Sequence, residues 1–139
     1  MQIYRLIRDS PRRLDLVEAV GGMVFTLIMV TPWYRARVYG ITAISRGLDF
    51  PVTGGTAWLA SLLLSFRALR RIRVECSSAS QSHVTDIGLA GTALWFLMVQ
   101  AYLGDAPGRA QVGFYAAIAT SMVVFRAAIS RARQADMGT

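Results

Sequence analysis

The sequence predicts an all-α membrane protein, in which residues 1–139 form a single domain. We expect a bundle of about four transmembrane helices arranged as two helical hairpins. Hydrophobic residues make up 54% of the chain and charged residues only 17%, against about 25% charged residues in a typical soluble domain. The apolar residues are concentrated in four blocks. All 15 basic residues lie outside these blocks, and every one of them is arginine.

The four apolar blocks have lengths close to what a bilayer requires. An α-helix rises about 1.5 Å per residue and the hydrocarbon core is about 30 Å thick, so that about 17–25 apolar residues span it. The predicted spans lie near residues 14–31, 52–66, 84–103 and 110–125. The second is short and gains apolar length only by packing against its neighbours. Proline at position 11, after Ser10, favours a helix start before the first span.

The connections between the spans differ in character. Trp33 and Tyr34 follow the first span and are typical of the aromatic belt at a membrane interface. Residues 35–51 contain an apolar stretch too short to cross, and we expect a helix lying on the membrane surface there. The small polar residues of 77–82 favour a flexible linker between the two hairpins. Glycine and proline at 104–109 predict a tight turn.

The distribution of arginine predicts the orientation. With four spans, both chain termini and the loop between the second and third spans lie on the same side of the membrane. Eleven of the 15 arginines fall on that side and four on the other. Because basic residues are enriched in cytoplasmic loops, we expect both termini in the cytoplasm and the protein in the cell inner membrane.

Two sets of residues are candidate contact sites. One set follows the second span at helical spacing, where a cationic helix end would contact acidic lipid headgroups or an anionic partner. It consists of Arg67, Arg70, Arg71 and Arg73. The other set consists of small residues at spacings that let helix backbones approach closely within a membrane. Its members are Gly22, Gly88, Thr92 and Ala116.

Glu18 allows two interpretations. In the first, it is an interfacial anion balanced by Arg12, Arg13 and the positive end of the helix dipole. In the second, it handles protons or ions inside the membrane. The first is favoured, because the sequence shows no second intramembrane charge to complete a pathway. Gln100, in the third span, is expected to donate a hydrogen bond to another helix.

The sequence has no feature of an enzyme. Cys76 and His83 are the only residues of their types, so that a disulfide within the chain and zinc sites rich in cysteine or histidine cannot be assembled. The absence of lysine excludes P-loop and Schiff-base chemistry. The net charge of +7 accompanies no nucleic-acid recognition motif. We expect no catalytic residue, cofactor or metal, and no nucleic-acid partner.

The pattern resembles the small multi-span membrane proteins of bacteriophages, including holins, which accumulate in the inner membrane and open it at lysis. Three arginine-containing segments carry the resemblance. They are TPWYR after the first span, SFRALRRIR after the second and SRAR near the C-terminus. The resemblance implies self-assembly into a membrane lesion. It is one of pattern across the whole chain and assigns no role to any residue.

Two functions are therefore considered. The first is a non-catalytic structural or assembly component of a membrane complex, whose partners are the lipid bilayer and other membrane subunits or further copies of the chain. The second is a holin-like protein that oligomerises and permeabilises the inner membrane. A small transporter is a third, and it is disfavoured because the charges that mark a coupling site are nearly missing from the spans.

Overall fold

The computed structural model describes residues 11–73, 83–103 and 109–137. These residues form four long helices with three short strands between them. The helices are α1 (Pro11–Met29), α2 (Thr53–Arg73), α3 (His83–Leu103) and α4 (Val112–Met137). The strands are β1 (Pro32–Val38), β2 (Ile41–Arg46) and β3 (Arg109–Ala110), with one turn of 3₁₀ helix over Gly47–Asp49 before α2.

The four helices form a closed bundle. Helix α1 packs against α2 and α4, and α3 packs against the same two helices. All three strands lie at one end of the bundle, where β1 pairs with both β2 and β3 in an antiparallel sheet. The helices therefore alternate in direction, as they do in up-and-down bundles with short connections. The prediction of a four-helix bundle is confirmed, while its crossing of a membrane remains a proposal.

The expected surface helix at residues 35–51 is wrong. Strands β1 and β2 form a hairpin across most of this segment, with Val38 opposite Ile41. The loop between them consists of Tyr39 and Gly40, whose φ angles are 49° and 80°. Two positive φ values in a two-residue loop match the turn whose twist fits a hairpin. The chain is therefore not purely α-helical.

Trp33 and Tyr34 are also not placed as expected. Both are buried, with 0% and 8% of their surface exposed. Consecutive residues of a regular strand point to opposite faces, but the register of β1 shifts between Pro32 and Tyr34. This irregularity accompanies the burial of both rings. They belong to an aromatic cluster inside the bundle and not to an interfacial belt.

Large apolar side chains face outward on every helix. Leu27 on α1 is 68% exposed, Phe66 on α2 67% and Trp95 on α3 68%. Val123 on α4 is also exposed. Inside, many of the buried side chains are small, and eight of them are Ala19, Ala57, Ala60, Ser61, Ser65, Ala90, Ala93 and Ala117. They lie among larger buried side chains such as Phe25, Leu64 and Leu97.

Two of the helices are long and apolar enough to cross a membrane, namely α3 over His83–Leu103 and α4 over Val112–Gln134. Only 28% and 33% of the residues in their apolar windows are buried inside the bundle. Helices α1 and α2 carry acidic and basic residues near one end, which lower their mean hydropathy.

Candidate functional site

Arg71, near the C-terminal end of α2, lies at the centre of a network of charges. Its Nε donates to Oδ1 of Asp15 at 2.9 Å and its Nη1 donates to Oδ2 of Asp86 at 2.7 Å. Its Nη2 donates to Oε2 of Glu18. One guanidinium group therefore binds three carboxylates. Arginine suits this arrangement because its planar group carries five N–H donors in a fixed geometry.

Two further arginines complete the network. Arg131 on α4 places its Nη1 3.1 Å from Oδ1 of Asp15, 3.3 Å from Oδ2 of Asp86 and 3.9 Å from Oε2 of Glu18. Arg67 on α2 donates from Nε to Oδ1 of Asp86 at 2.7 Å. We call the six residues the ionic cluster: Asp15, Glu18, Arg67, Arg71, Asp86 and Arg131. Every helix of the bundle contributes to it.

The ionic cluster is largely inaccessible to solvent. Glu18 is 0% exposed, Asp86 3% and Asp15 8%, while the side chains of Arg71 and Arg131 are 11% and 15% exposed. Three carboxylates face three guanidinium groups, so that the formal charges cancel when all six are ionised. This balance is necessary because an unpaired charge in such surroundings would destabilise the fold by several kcal/mol.

Local helix geometry explains how the sequence brings these groups together. Asp15 and Glu18 are three residues apart, and Arg67 and Arg71 are four apart, so that each pair lies on one face of its helix. Asp86 lies in the first turn of α3, where the helix dipole favours a negative charge. Arg71 lies in the last turn of α2, where a positive charge is favoured.

The structure changes the interpretation of Glu18. Arg12 and Arg13, its predicted partners, are exposed, and Glu18 is paired instead with Arg71 and Arg131. The sequence showed no second intramembrane charge to accompany Glu18, whereas the structure places it in a cluster with five other charged side chains. These partners are distant in sequence, 53 residues away for Arg71, and reading charges in chain order did not reveal them.

Two buried polar atoms have no hydrogen-bond partner among the described residues, namely Oε1 of Glu18 and Oγ of Ser121. Ser121 lines a small cavity of about 10 Å³ together with Gly22 and Ser61. That volume is near the minimum that holds one water molecule. Ser121 and Ser61 therefore place two hydroxyl groups in a cavity whose lining is otherwise mostly apolar.

A second polar contact lies closer to the strands. Oγ1 of Thr53 on α2 donates to Oε1 of Gln100 on α3. The hydroxyl of Tyr34 donates to the backbone carbonyl of Gln100 at 3.4 Å. Gln100 therefore makes an interhelical hydrogen bond as expected, but its side-chain oxygen accepts this bond, whereas the prediction made Gln100 the donor.

The four arginines proposed as a contact surface do not act as one group. Arg67 and Arg71 point into the ionic cluster, whereas Arg70 and Arg73 are exposed. Only the latter two remain available to a lipid headgroup or partner. Asp86 and Arg131 were not among the candidate residues. Their positions in the sequence could have identified them, because Asp86 stands at the start of the third apolar block and Arg131 follows the end of the fourth.

The candidate packing residues also divide. Gly22 is buried where α1 meets α2, and a side chain there would overlap Ser61 and Ser65. Ala116 is half-buried. Gly88 and Thr92 are exposed on α3, and open space surrounds the position of a Cβ atom at Gly88. Gly88 therefore does not pack against another helix of the same chain, contrary to expectation, because it lies on the outer face of α3.

The ionic cluster has the geometry of a structural ion-pair network shared by helices. Among the residues that the structure describes, no group of three or more histidine, cysteine, aspartate and glutamate side chains is placed to hold a metal ion. The acids of the cluster are separated by guanidinium groups, which occupy the positions that a cation would need.

The fold and the site together define a four-helix bundle with large apolar side chains outside and a buried ionic cluster at one end. Comparison with known protein families, with characterised proteins and with solved structures found no match to the chain. The function is therefore argued from the geometry alone.

Proposed function

We propose that this protein is a non-catalytic integral membrane protein that crosses the bilayer with four helices and serves as a structural or assembly component of a membrane complex. The observation that carries the proposal is the outward placement of large apolar side chains on all four helices, around an interior that holds the buried ionic cluster. In water, such exposed surface is unfavourable. In lipid, it is the favoured arrangement.

The composition of the core fits packing inside a membrane. Lipid tails are as apolar as leucine, so that helices gain little by burying large aliphatic side chains against one another. They associate instead through close backbone approach and through polar contacts. Gly22, between Ser61 and Ser65, provides the first. The ionic cluster provides the second, since its charges face each other and not the hydrocarbon.

The helices that carry the charges are still long enough to span. Helix α1 has 19 residues and α2 has 21, which correspond to about 28 Å and 31 Å at 1.5 Å per residue. The charges on α1 are confined to its first eight residues. The deepest of them, Glu18, faces Arg71 and Arg131 inside the bundle, as charged residues within membrane spans generally do. We therefore include α1 and α2 among the spans.

The packing of the bundle supports a sealed structure. The ionic cluster occupies one end, and Trp33, Tyr34 and Phe114 pack together at the other. Between them, Phe25 and Leu97 are 1% and 0% exposed. A water-filled pathway needs a polar or hydratable lining, and these apolar side chains interrupt it. This favours a structural role over conduction through one copy.

We further propose that both termini are cytoplasmic and that the host membrane is a cell inner membrane. Orientation follows the number of arginines and lysines near the ends of the spans and is little affected by acidic neighbours. The pairing of Arg67, Arg71 and Arg131 with carboxylates therefore does not weaken the predicted orientation. Cys76 lies outside the described residues, between α2 and α3. A membrane-impermeant maleimide should label it in inverted vesicles only, and labelling of intact cells would reverse the orientation.

The holin-like function remains the alternative, since the exposed apolar belt would let copies associate side by side in the membrane. The two functions are separated by potential-sensitive dye fluorescence in cells that express this chain alone. A structural component should leave the membrane potential stable when the chain is present at high levels and resists extraction by carbonate, because buried apolar side chains seal the bundle. An abrupt depolarisation at a threshold level would replace the structural function with the holin-like one.

A further inference from the structure

An open groove runs along the outside of the bundle between α1 and α4. Three valines of α1 and three residues of α4 form most of its walls, namely Val17, Val20, Val24, Ala119, Thr120 and Val123. Its volume is about 320 Å³, at the lower end of the roughly 300–1,000 Å³ typical of small-molecule sites. The lining is almost entirely aliphatic, so that its occupant must be an apolar chain.

The groove exists because the two helices meet through small side chains. A Cβ atom at Gly21 would overlap Cγ2 of Val124, so that the backbone of α1 lies directly against α4 at this level. Outside this contact, the short side chains of Val20 and Ala119 leave a furrow. Exposed Leu16 and Met122 are larger neighbours on the same two helices.

Unpaired positive charge lies at one end of the groove. Arg13 is one helical turn before Val17, on the same face of α1, and Arg126 is three residues after Val123 on α4. Both are exposed. Neither lies within ion-pair distance of a carboxylate among the described residues, in contrast to Arg131, which belongs to the ionic cluster. Their long side chains can reach along the helix surface toward the interface.

We propose that this groove binds one acyl chain of an anionic phospholipid whose phosphate contacts Arg13 and Arg126. The proposal rests on the membrane placement argued above. An aliphatic furrow that ends at two exposed guanidinium groups matches the chemistry of such a lipid, with its hydrocarbon tail and anionic headgroup. Guanidinium groups also bind phosphate oxygens with two parallel hydrogen bonds.

A second copy of the chain is a poorer occupant. Two copies inserted in the same orientation hold corresponding residues at the same depth in the membrane. Contact through this face would therefore bring Arg13 and Arg126 of one copy close to the same residues of the other. Like charges placed opposite each other at an interface are unfavourable, whereas an anionic lipid neutralises them.

The test uses the full chain in nanodiscs that contain phospholipid with a photoactivatable acyl chain, either phosphatidylglycerol or phosphatidylcholine. Crosslinked peptides are mapped by mass spectrometry. Ala119→Phe fills the groove, and the double variant Arg13→Gln with Arg126→Gln removes its charge. Leu63→Phe, at an exposed position on α2, and Arg35→Gln with Arg37→Gln, at exposed positions of β1, are the matched controls.

We expect phosphatidylglycerol to label peptides 17–24 and 119–124 more strongly than the exposed face of α2. Filling the groove should abolish this excess, and each arginine removed should lower the preference for phosphatidylglycerol about fivefold. The control variants should have no effect. Equal labelling of all faces, or crosslinks between two protein copies at the groove, would overturn the proposal. Failure of both lipids to label any helix would instead contradict the membrane placement itself.

Discussion

At one end of the bundle Arg71 contacts three carboxylates on two helices, whereas at the other end aromatic rings pack together and the described residues form no buried ion pair. Trp33 and Phe114 have ring centroids 5.5 Å apart, and those of Tyr34 and Phe114 are 5.2 Å apart. The ends therefore close the bundle by different forces. Ion pairs are directional and need every partner, while aromatic packing depends mainly on volume and shape.

This difference predicts different tolerance to mutation. Removing one member of a buried ion pair leaves the opposite charge without compensation, which is more damaging than the pair is stabilising. Exchanging one apolar side chain for another of similar size usually has a small effect. The ionic end should therefore fail abruptly when one group is lost, and the aromatic end should adapt.

The largest effect is expected for Arg71→Met. The substitution leaves three buried carboxylates with two guanidinium groups, those of Arg67 and Arg131, and should destabilise the bundle by about 3–5 kcal/mol. Thermal unfolding in detergent, followed by circular dichroism, measures the change. Arg70→Met is the matched control, because Arg70 is exposed on the same helix. Similar unfolding of the two variants would show that the ionic cluster does not hold the helices together.

An intermediate effect is expected where α1 and α2 approach between the two ends. Gly22→Ala introduces a Cβ atom that overlaps Ser65 and the carbonyl of Ser61, and overpacking of this kind destabilises by about 1–3 kcal/mol. Gly88→Ala should be neutral or slightly stabilising, since nothing lies within 4 Å of the new atom. The same unfolding assay compares the two variants. If Gly88→Ala destabilised the bundle more than Gly22→Ala, the face of α3 that carries Gly88 would be a packing surface and the face of α1 that carries Gly22 would not.

The smallest effect is expected at the aromatic end. Phe114→Leu keeps an apolar side chain of similar size and loses its ring contacts with Trp33 and Tyr34, so that a loss of about 1 kcal/mol is expected. Tyr115→Leu is the control, because Tyr115 is 62% exposed. If Phe114→Leu unfolds the protein as completely as Arg71→Met, the contrast between the two ends is incorrect.

Features that depend on local sequence were largely predictable. The apolar blocks located all four helices, and Pro11 is the first residue of α1 as its fixed φ angle favours. The hairpin was also within reach, because Tyr39 and Gly40 separate two short segments and the second contains several β-branched residues. It was missed because the segment was interpreted only in terms of its relation to a membrane.

Features that depend on distant residues were not predictable in the same way. Glu18 finds Arg71 and Arg131 only when all four helices are in place, and neighbours in sequence such as Arg12 offered simpler partners. The burial of Trp33 depends likewise on Phe50 and Phe114. A single sequence shows which side chains must find a partner, but tertiary packing decides which partner they find.

The central claim is that all four helices face lipid, although only α3 and α4 are apolar enough to span by composition alone. It can be tested with one spin label per helix, at Leu27, Leu63, Trp95 or Met122, in a Cys76→Ser background in nanodiscs. Collision with oxygen and with a water-soluble nickel chelate is then measured by electron paramagnetic resonance. We predict that all four sites are accessible to oxygen and protected from nickel. Access of nickel to Leu27 and Leu63, with protection of Trp95 and Met122, would reduce the protein to two spans and contradict the account.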